Sequence, residues 1–75
     1  MSLTVTYDEP SDSLHIDTCA PYREQESDEI KPGILARSNP SNGRIENIEI
    51  LSFRARLAAG KPIELPVSLE SVPIG

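Results

Sequence analysis

Alternation of apolar and polar residues is the feature that most constrains the fold of this chain. It is clearest in two segments, Thr6–Ile16 and Gly43–Leu51, each of which joins a strand-like run to a turn. A period of two residues is typical of strands that bury one face and expose the other. The sequence therefore predicts a small domain built mainly from antiparallel sheet.

Chain length limits how stable such a domain is alone. A chain of 75 residues forms one domain at most, and a domain of this size buries only about 60% of the surface that its unfolded chain exposes. Cys19 is the single cysteine, so an internal disulfide is excluded. Small domains otherwise gain stability from a metal or a partner subunit, and we expect a homo-oligomer or a complex with another chain.

The first two predicted strands form a hairpin. The residues of Leu3–Tyr7 alternate in polarity, and Leu14 and Ile16 alternate with polar neighbours further along the chain. The turn Asp8–Asp12 contains a proline and two aspartates, whose carboxylates can accept hydrogen bonds from the backbone N–H groups of the turn. We expect Leu14 and Ile16 to share an apolar layer with Val5.

Two further strands are predicted, Ile30–Arg37 and Arg44–Leu51, with the turn Ser38–Gly43 between them. Pro32 has no N–H group to donate, which puts the start of the third strand at an edge or a bulge. Asn42 and Gly43 both accept the positive φ that a tight reversal requires.

The fourth strand interrupts its own alternation. Ile48 and Ile50 share a face, but Ile45 falls on the opposite face unless an extra residue is inserted. A bulge at Glu46–Asn47 restores the phase, because asparagine tolerates a left-handed backbone better than most residues.

A short helix follows. Ser52 is a favourable N-cap for a helix over Phe53–Ala59, and Gly60 lies just past its end. Phe53 and Leu57 are four residues apart, so both are expected to cover one side of the sheet, with Arg56 on the polar face.

These elements together predict an α+β fold that is mostly β: a four-stranded antiparallel meander with a short C-terminal helix packed on one face. Residues 1–60 are expected to form this single sheet-plus-helix domain. Residues 61–75 contain three prolines and are expected to form an irregular extension, partly extended or disordered.

Charge is unevenly distributed along the chain, whose net charge is −5. Residues 1–30 carry eight acids and one base, whereas residues 31–62 carry six bases and two acids. Such segregation can align strands within one fold or set the register of a symmetric dimer. The simpler interpretation is scattered, solvated charge, which contributes little to stability. The acidic segment Thr18–Asp28 has no period and is expected to be a mobile loop, either solvated or in contact with a basic partner.

Several motifs of the chain resemble a known family. The relevant residues are Tyr7-Asp8, Asp12, Leu14, Ile16, Gly33 and the run Gly43-Arg-Ile-Glu-Asn-Ile-Glu-Ile-Leu51. From Val5 to about Leu57 the chain resembles the bacterial domain family of unknown function DUF2283, most specifically over Ile48-Glu-Ile-Leu51.

The resemblance implies a compact sheet domain with a C-terminal helix and no established activity, and it makes an antitoxin-like role one candidate. This chain departs from the family pattern at four positions. His15 stands where tyrosine is favoured, Ser11 and Ser13 replace alanines, and Asn47 replaces a glycine.

Four carboxylates near the first turn invite a metal or acid–base interpretation: Asp8, Glu9, Asp12 and Asp17. A calcium loop of the EF-hand type needs oxygen ligands at its positions 1, 3, 5 and 12 and glycine at position 6. Counting from Asp8, these positions include Pro10, Ser13 and Cys19, so the pattern fails. Hydrogen bonding within the turn is the favoured explanation of these carboxylates.

His15 and Cys19 are the residues that could form a thiol–imidazole pair. No third residue is evident to orient the imidazole, and a surface histidine beside a structural thiol is the simpler interpretation. The possible enzyme or metal site therefore consists of Asp8, Asp12, His15 and Cys19.

Nucleic-acid binding would use a different set of side chains. The candidate basic residues are Lys31, Arg37, Arg44, Arg54, Arg56 and Lys61. Three aromatic residues are too few for a base-stacking platform, and Gly33, Gly43 and Gly60 match no phosphate-binding spacing. Direct contact with DNA or RNA is not expected.

The sequence thus favours a non-enzymatic interaction module, homodimeric or bound to a small basic partner. No cofactor is expected, and no stretch approaches the ~20 apolar residues that span a membrane. The lone cysteine and the lack of a leader-like pattern in Met1–Thr18 predict a cytoplasmic protein. The alternative is a small metal-binding or catalytic domain using the Asp8, Asp12, His15 and Cys19 region.

Overall fold

A computed structural model describes residues 3–65 of the chain and shows one antiparallel sheet followed by a helix. The elements are β1 Thr4–Asp8, β2 Ser13–Asp17, β3 Glu26–Lys31, β4 Ile34–Ser38, β5 Ile45–Leu51 and α1 Phe53–Ala58. The strand order is β1-β2-β5-β4-β3, so β5 lies at the centre and β1 and β3 form the edges. Within residues 3–65 no helix is long and apolar enough to span a membrane.

The sheet has five strands, and the predicted four-stranded meander is wrong in both number and order. The run Ile30–Arg37 is a hairpin rather than one strand, because β3 ends at Lys31 and β4 begins at Ile34. Pro32 and Gly33 reverse the chain between them, and Gly33 has a φ of +76°. The last strand then inserts between β2 and β4, where its apolar residues gain neighbours on both sides.

The acidic segment Thr18–Asp28 is not one loop. Its last residues, Glu26–Asp28, belong to the edge strand β3. Those residues are exposed, so the strand shows none of the apolar alternation that would have identified it.

Several predicted features are confirmed. The first hairpin forms, with Val5 opposite Ile16 and Tyr7 opposite Leu14. The turn before β5 also forms, and Gly43 has a φ of +73°.

The predicted bulge in β5 is also present. Arg37 pairs with Asn47 and Ser38 with Ile45, which leaves Glu46 as the extra residue. The proposed reason was wrong, because among residues 3–65 the non-glycine residues with positive φ are Asp12 and Ser52 rather than Asn47. Asn47 is instead a buried residue whose side chain is hydrogen-bonded to Asp17.

The core occupies the centre of one face of the sheet. Its four buried apolar residues, Ile34, Ala36, Ile48 and Ile50, all lie on β4 and β5. The partly buried side chains packed around this cluster are Leu14, Ile16, Ile30, Phe53, Ile63 and Leu65. The described part of the predicted extension therefore covers the core, while the predicted disorder at the chain end lies outside the described residues.

The helix starts at the predicted residue but is capped differently. Ser52 has a φ of +54°, and its side chain makes no capping hydrogen bond. Asp12 replaces it, since its backbone oxygen accepts from the Phe53 N–H at 3.0 Å and its Oδ1 accepts from the Arg54 N–H at 2.9 Å. The first hairpin turn therefore holds the helix N-terminus.

Of the two helix residues that were predicted to face the sheet, one does and one does not. Phe53 packs on the core, but the Leu57 side chain is 56% exposed. Arg56 turns inward instead, where its Nε donates to the Leu51 carbonyl at 2.9 Å and its Nη2 to the Pro32 carbonyl at 2.6 Å. A Cβ on Gly33 would displace this guanidinium, and the positive φ favours glycine at this position.

Arg56 should therefore contribute more to folding stability than Leu57. Arg56→Ala removes two hydrogen bonds that join the helix to β5 and to the β3–β4 turn, and we expect a loss of about 1–2 kcal/mol. Leu57→Ala, at an exposed position, should stay within about 0.5 kcal/mol of the parent. Urea unfolding of both variants measures the difference, and a larger loss for Leu57→Ala would contradict this docking of the helix.

Candidate functional site

The acidic turn between β1 and β2 is a structural junction. Asp12 Oδ1 accepts from the Tyr7 hydroxyl at 2.7 Å as well as from the Arg54 N–H, and Asp8 accepts from the Ser11 hydroxyl. The backbone hydrogen bond from Arg54, followed by the one from the Tyr7 hydroxyl, lowers the pKa of Asp12. The donors to the Asp12 side chain thus come from outside the turn, which corrects the predicted bonding to the turn's own backbone.

The four residues of the possible chemical site do not converge. Asp8 and Asp12 lie at one end of β2, and Cys19 lies beyond its other end. The five residues of β2 alone span about 13 Å. His15 lies between these ends, with Thr6 and Glu49 as its cross-strand neighbours. In residues 3–65 no group of three or more His, Cys, Asp or Glu side chains is arranged to hold a metal ion.

A polar cluster fastens the segment after β2 onto the bulge of β5. We call it the Asn47 cluster, and it consists of Asp17, Tyr22, Gln25, Glu46 and Asn47. Asn47 Nδ2 donates to Asp17 Oδ1 at 2.8 Å and to the backbone oxygen of residue 19 at 2.7 Å. Gln25 Nε2 donates to Asn47 Oδ1 at 2.7 Å. The predicted mobile loop is therefore held to the central strand.

Glu46 is the acceptor at the outer side of this cluster. Its Oε1 accepts from the Tyr22 hydroxyl at 2.6 Å and from Gln25 Nε2 at 3.0 Å. The hydrogen bond to Glu46, with burial and the nearby carboxylate charge as smaller causes, raises the pKa of Tyr22 to about 12. The same hydrogen bond lowers the pKa of Glu46. No local sequence pattern marks this cluster, because the side-chain partners of Asn47 on Gln25 and Asp17 are 22 and 30 residues away along the chain.

Lys31, Arg56 and Lys61 line one surface cavity near the β3–β4 turn, and three of the basic side chains are engaged within the fold. Arg37 forms an ion pair with Glu49 at 3.4 Å, and Lys31 forms one with Glu64 at 3.6 Å. Arg56 donates hydrogen bonds to two backbone carbonyls.

The β1 edge carries the most exposed apolar side chain among the described strands, that of Val5. Val5 is 62% exposed, Leu3 just before the strand is 43% exposed and Tyr7 is 36% exposed. Val5 continues the row of Ile16, Ile48 and Ala36 across the sheet, so its exposed side chain extends the core face. Within residues 3–65 no strand covers the outer side of β1.

The two edges of the sheet differ in how they are protected. Four of the six residues of β3 are charged, and its pairing is shifted between Glu29 and Lys31. Charges and bulges on an edge strand discourage pairing with another chain. β1 has neither protection along Thr4–Tyr7, and its single charge is Asp8 at the end.

Backbone geometry shows which groups of β1 point outward. The Thr18 N–H donates to the Glu46 oxygen of β5 at 2.9 Å. Successive residues of a strand point their N–H and C=O groups to alternate sides, so His15 and the other odd-numbered residues of β2 face β1. Their partners include Thr6, and the N–H and C=O groups of Val5 and Tyr7 therefore point away from the sheet.

Comparison with known proteins gives a family without an assigned activity. Residues 4–54 match the model of DUF2283, described as a protein of unknown function. This range contains all five strands and the start of α1, and the chain belongs to this family. No curated protein and no solved structure matched the chain.

Removing the Glu46 carboxylate should shift the titration of Tyr22. Glu46→Gln takes away the charged acceptor, so the Tyr22 pKa should fall from about 12 toward the ordinary value of about 10. In the parent the pKa of Tyr22 is higher in the folded state than in the unfolded state. The hydrogen bond from Tyr22 to Glu46 therefore stabilises the fold below about pH 10, and this stabilisation is lost as pH rises through about 12.

NMR of the tyrosine ring carbons measures this pKa and separates Tyr22 from Tyr7. The control is Glu49→Gln, which removes a carboxylate paired with Arg37 instead of Tyr22. An unchanged Tyr22 titration in Glu46→Gln would contradict the described hydrogen bond.

Proposed function

We propose that this protein works by association with another protein chain and has no chemistry of its own. The observation that carries the proposal is the β1 edge, where outward backbone groups lie beside the 62% exposed Val5. Edge strands of this kind bind extended segments by adding a strand, with backbone hydrogen bonds for affinity and side-chain contacts for specificity.

The small core supports association as well. Among residues 3–65 four apolar residues are buried, and all of them lie on β4 and the central strand β5, with none on β1 or β2. Full burial of a side chain such as valine is worth about 1.5–3 kcal/mol. A chain added at β1 would cover Val5 and Tyr7 and would extend the core across β2.

The alternative of an enzyme or metal-binding domain has less support. Asp8 and Asp12 are separated by the length of β2 from Cys19, and Asp12 is used to hold the helix and Tyr7. A reactive site requires its groups around one position. We also propose a cytoplasmic location, because Cys19 is free and exposed. We propose no direct role in nucleic-acid binding, because Lys31, Arg37 and Arg56 are paired within the protein.

A second candidate is an antitoxin-like protein that binds a small basic partner. The feature that favours it is the acidic edge opposite β1, formed by Glu26, Asp28 and Glu29 on β3. Charge complementarity steers such encounters and weakens as salt is added.

A matched pair of substitutions distinguishes the two edges. One row of directly paired residues crosses the whole sheet, and it begins at Val5 on β1 and ends at Asp28 on β3. Both of these end residues are exposed. Val5→Lys puts a charge on the apolar edge and should abolish association, whereas Asp28→Lys should leave it intact. Circular dichroism checks that both variants keep the fold.

Sedimentation of the parent and both variants, combined with partner capture from the native host, measures the outcome. We expect the parent's melting temperature and apparent mass to rise with the concentration of the protein or its partner. Loss of binding in Asp28→Lys alone would favour the acidic edge and the basic partner. A strict monomer over roughly a hundredfold range of concentration, with no partner captured, would overturn the proposal.

A further inference from the structure

We infer that the chain bound at the β1 edge is a second copy of this protein, paired antiparallel to the first with Thr6 of both copies on the two-fold axis. The inference rests on the proposed function, since it names the partner and register of the same edge. The dimer would join two five-stranded sheets into one continuous sheet.

The outward backbone groups restrict the possible registers. Val5 and Tyr7 carry the N–H and C=O groups that point away from the sheet, so these residues must form the hydrogen-bonded pairs with a partner strand. With Thr6 on the axis, Val5 lies opposite Tyr7 of the second copy, and Tyr7 lies opposite its Val5. Both pairs then exchange two hydrogen bonds.

Other registers use the strand less well. A shift of one residue would place Thr6 opposite an outward residue, although its backbone groups already face β2. A shift of two residues still places outward-pointing residues opposite each other, but it leaves one end of Thr4–Asp8 without a paired residue. Centring on Thr6 pairs all five residues of β1 with their counterparts.

The side chains are self-complementary in this register. Directly opposed residues of an antiparallel pair lie on the same face, so Val5 packs beside Tyr7 of the second copy and the apolar faces become continuous. On the other face Thr4 lies opposite Asp8, where a hydroxyl can donate to the carboxylate. No like charges are opposed along Thr4–Asp8.

The same construction fails at the other edge. Pairing β3 with itself would bring together strands that each carry Glu26, Asp28 and Glu29, and like charges across a strand pair are destabilising. Because each copy contributes five residues of edge strand, the β1 interface is small beside the about 1,200–2,000 Å² of a stable complex. We therefore expect a weak dimer that dissociates on dilution.

Cysteine cross-linking tests the register. In a Cys19→Ser background, which removes the single native cysteine, Thr6→Cys would place two cysteines at a non-hydrogen-bonded pair about 4.5 Å apart at Cα, within the range for a disulfide. The control is Thr4→Cys, on the same strand and also at an exposed position. Its two copies would be separated by four residues along the strands, about 13 Å.

Both variants are oxidised with oxidised glutathione at concentrations where the parent sediments as a dimer. We expect Thr6→Cys to give at least about tenfold more covalent dimer than Thr4→Cys, and Val5→Lys added to Thr6→Cys to suppress it. Equal or absent cross-linking of the two cysteine variants in a dimeric parent would overturn the inferred register.

The remaining outcomes separate this inference from the proposed function. A monomeric parent that captures a different protein through an edge sensitive to Val5→Lys would overturn the second copy and leave association intact. A monomeric parent that captures nothing would overturn both.

Discussion

A single apolar sheet face, larger than one short helix can cover, is the constraint on which the rest of this structure depends. Phe53 and the segment with Ile63 and Leu65 cover the part of the face formed by β4 and β5. The cover reaches Tyr7 of β1, whose ring centroid lies 6.0 Å from that of Phe53, but it leaves Val5 62% exposed. Within residues 3–65 no further strand closes the face beyond β1, and this edge is open in the described part of the chain.

Hydrogen bonds from polar side chains join the elements of this domain, whose apolar core is small. Asp12 joins the first hairpin to the helix, Arg56 joins the helix to the β3–β4 turn, and Asn47 joins β5 to the segment after β2. Among residues 3–65, no buried side-chain polar atom lacks a hydrogen-bond partner. Of the carboxylates considered near the first turn, Asp8, Asp12 and Asp17 each accept hydrogen bonds within the fold.

Sequence patterns predicted the parts of the fold that depend on local alternation. The β1–β2 hairpin, the bulge at Glu46 and the helix start at Phe53 were predicted correctly. The strand β3 was missed because its exposed, charged residues have no period, and the central place of β5 depends on long-range pairing. Leu57 was misplaced because helical spacing identifies a face without saying which face docks. The exposed β1 edge and the Asn47 cluster needed the strand order before either could be recognised.

Amide hydrogen exchange along β1 tests the central claim, that the outward side of this strand pairs with another chain, most directly. In a dilute solution of the protein the Thr6 amide, which faces β2, should exchange slowly, while the amides of Val5 and Tyr7 should exchange fast. At high concentration, where the edge is paired, exchange at Val5 and Tyr7 should slow to approach that of Thr6. The account would be contradicted if the Val5 and Tyr7 amides exchanged at the same rate at every protein concentration and if no captured partner changed that rate.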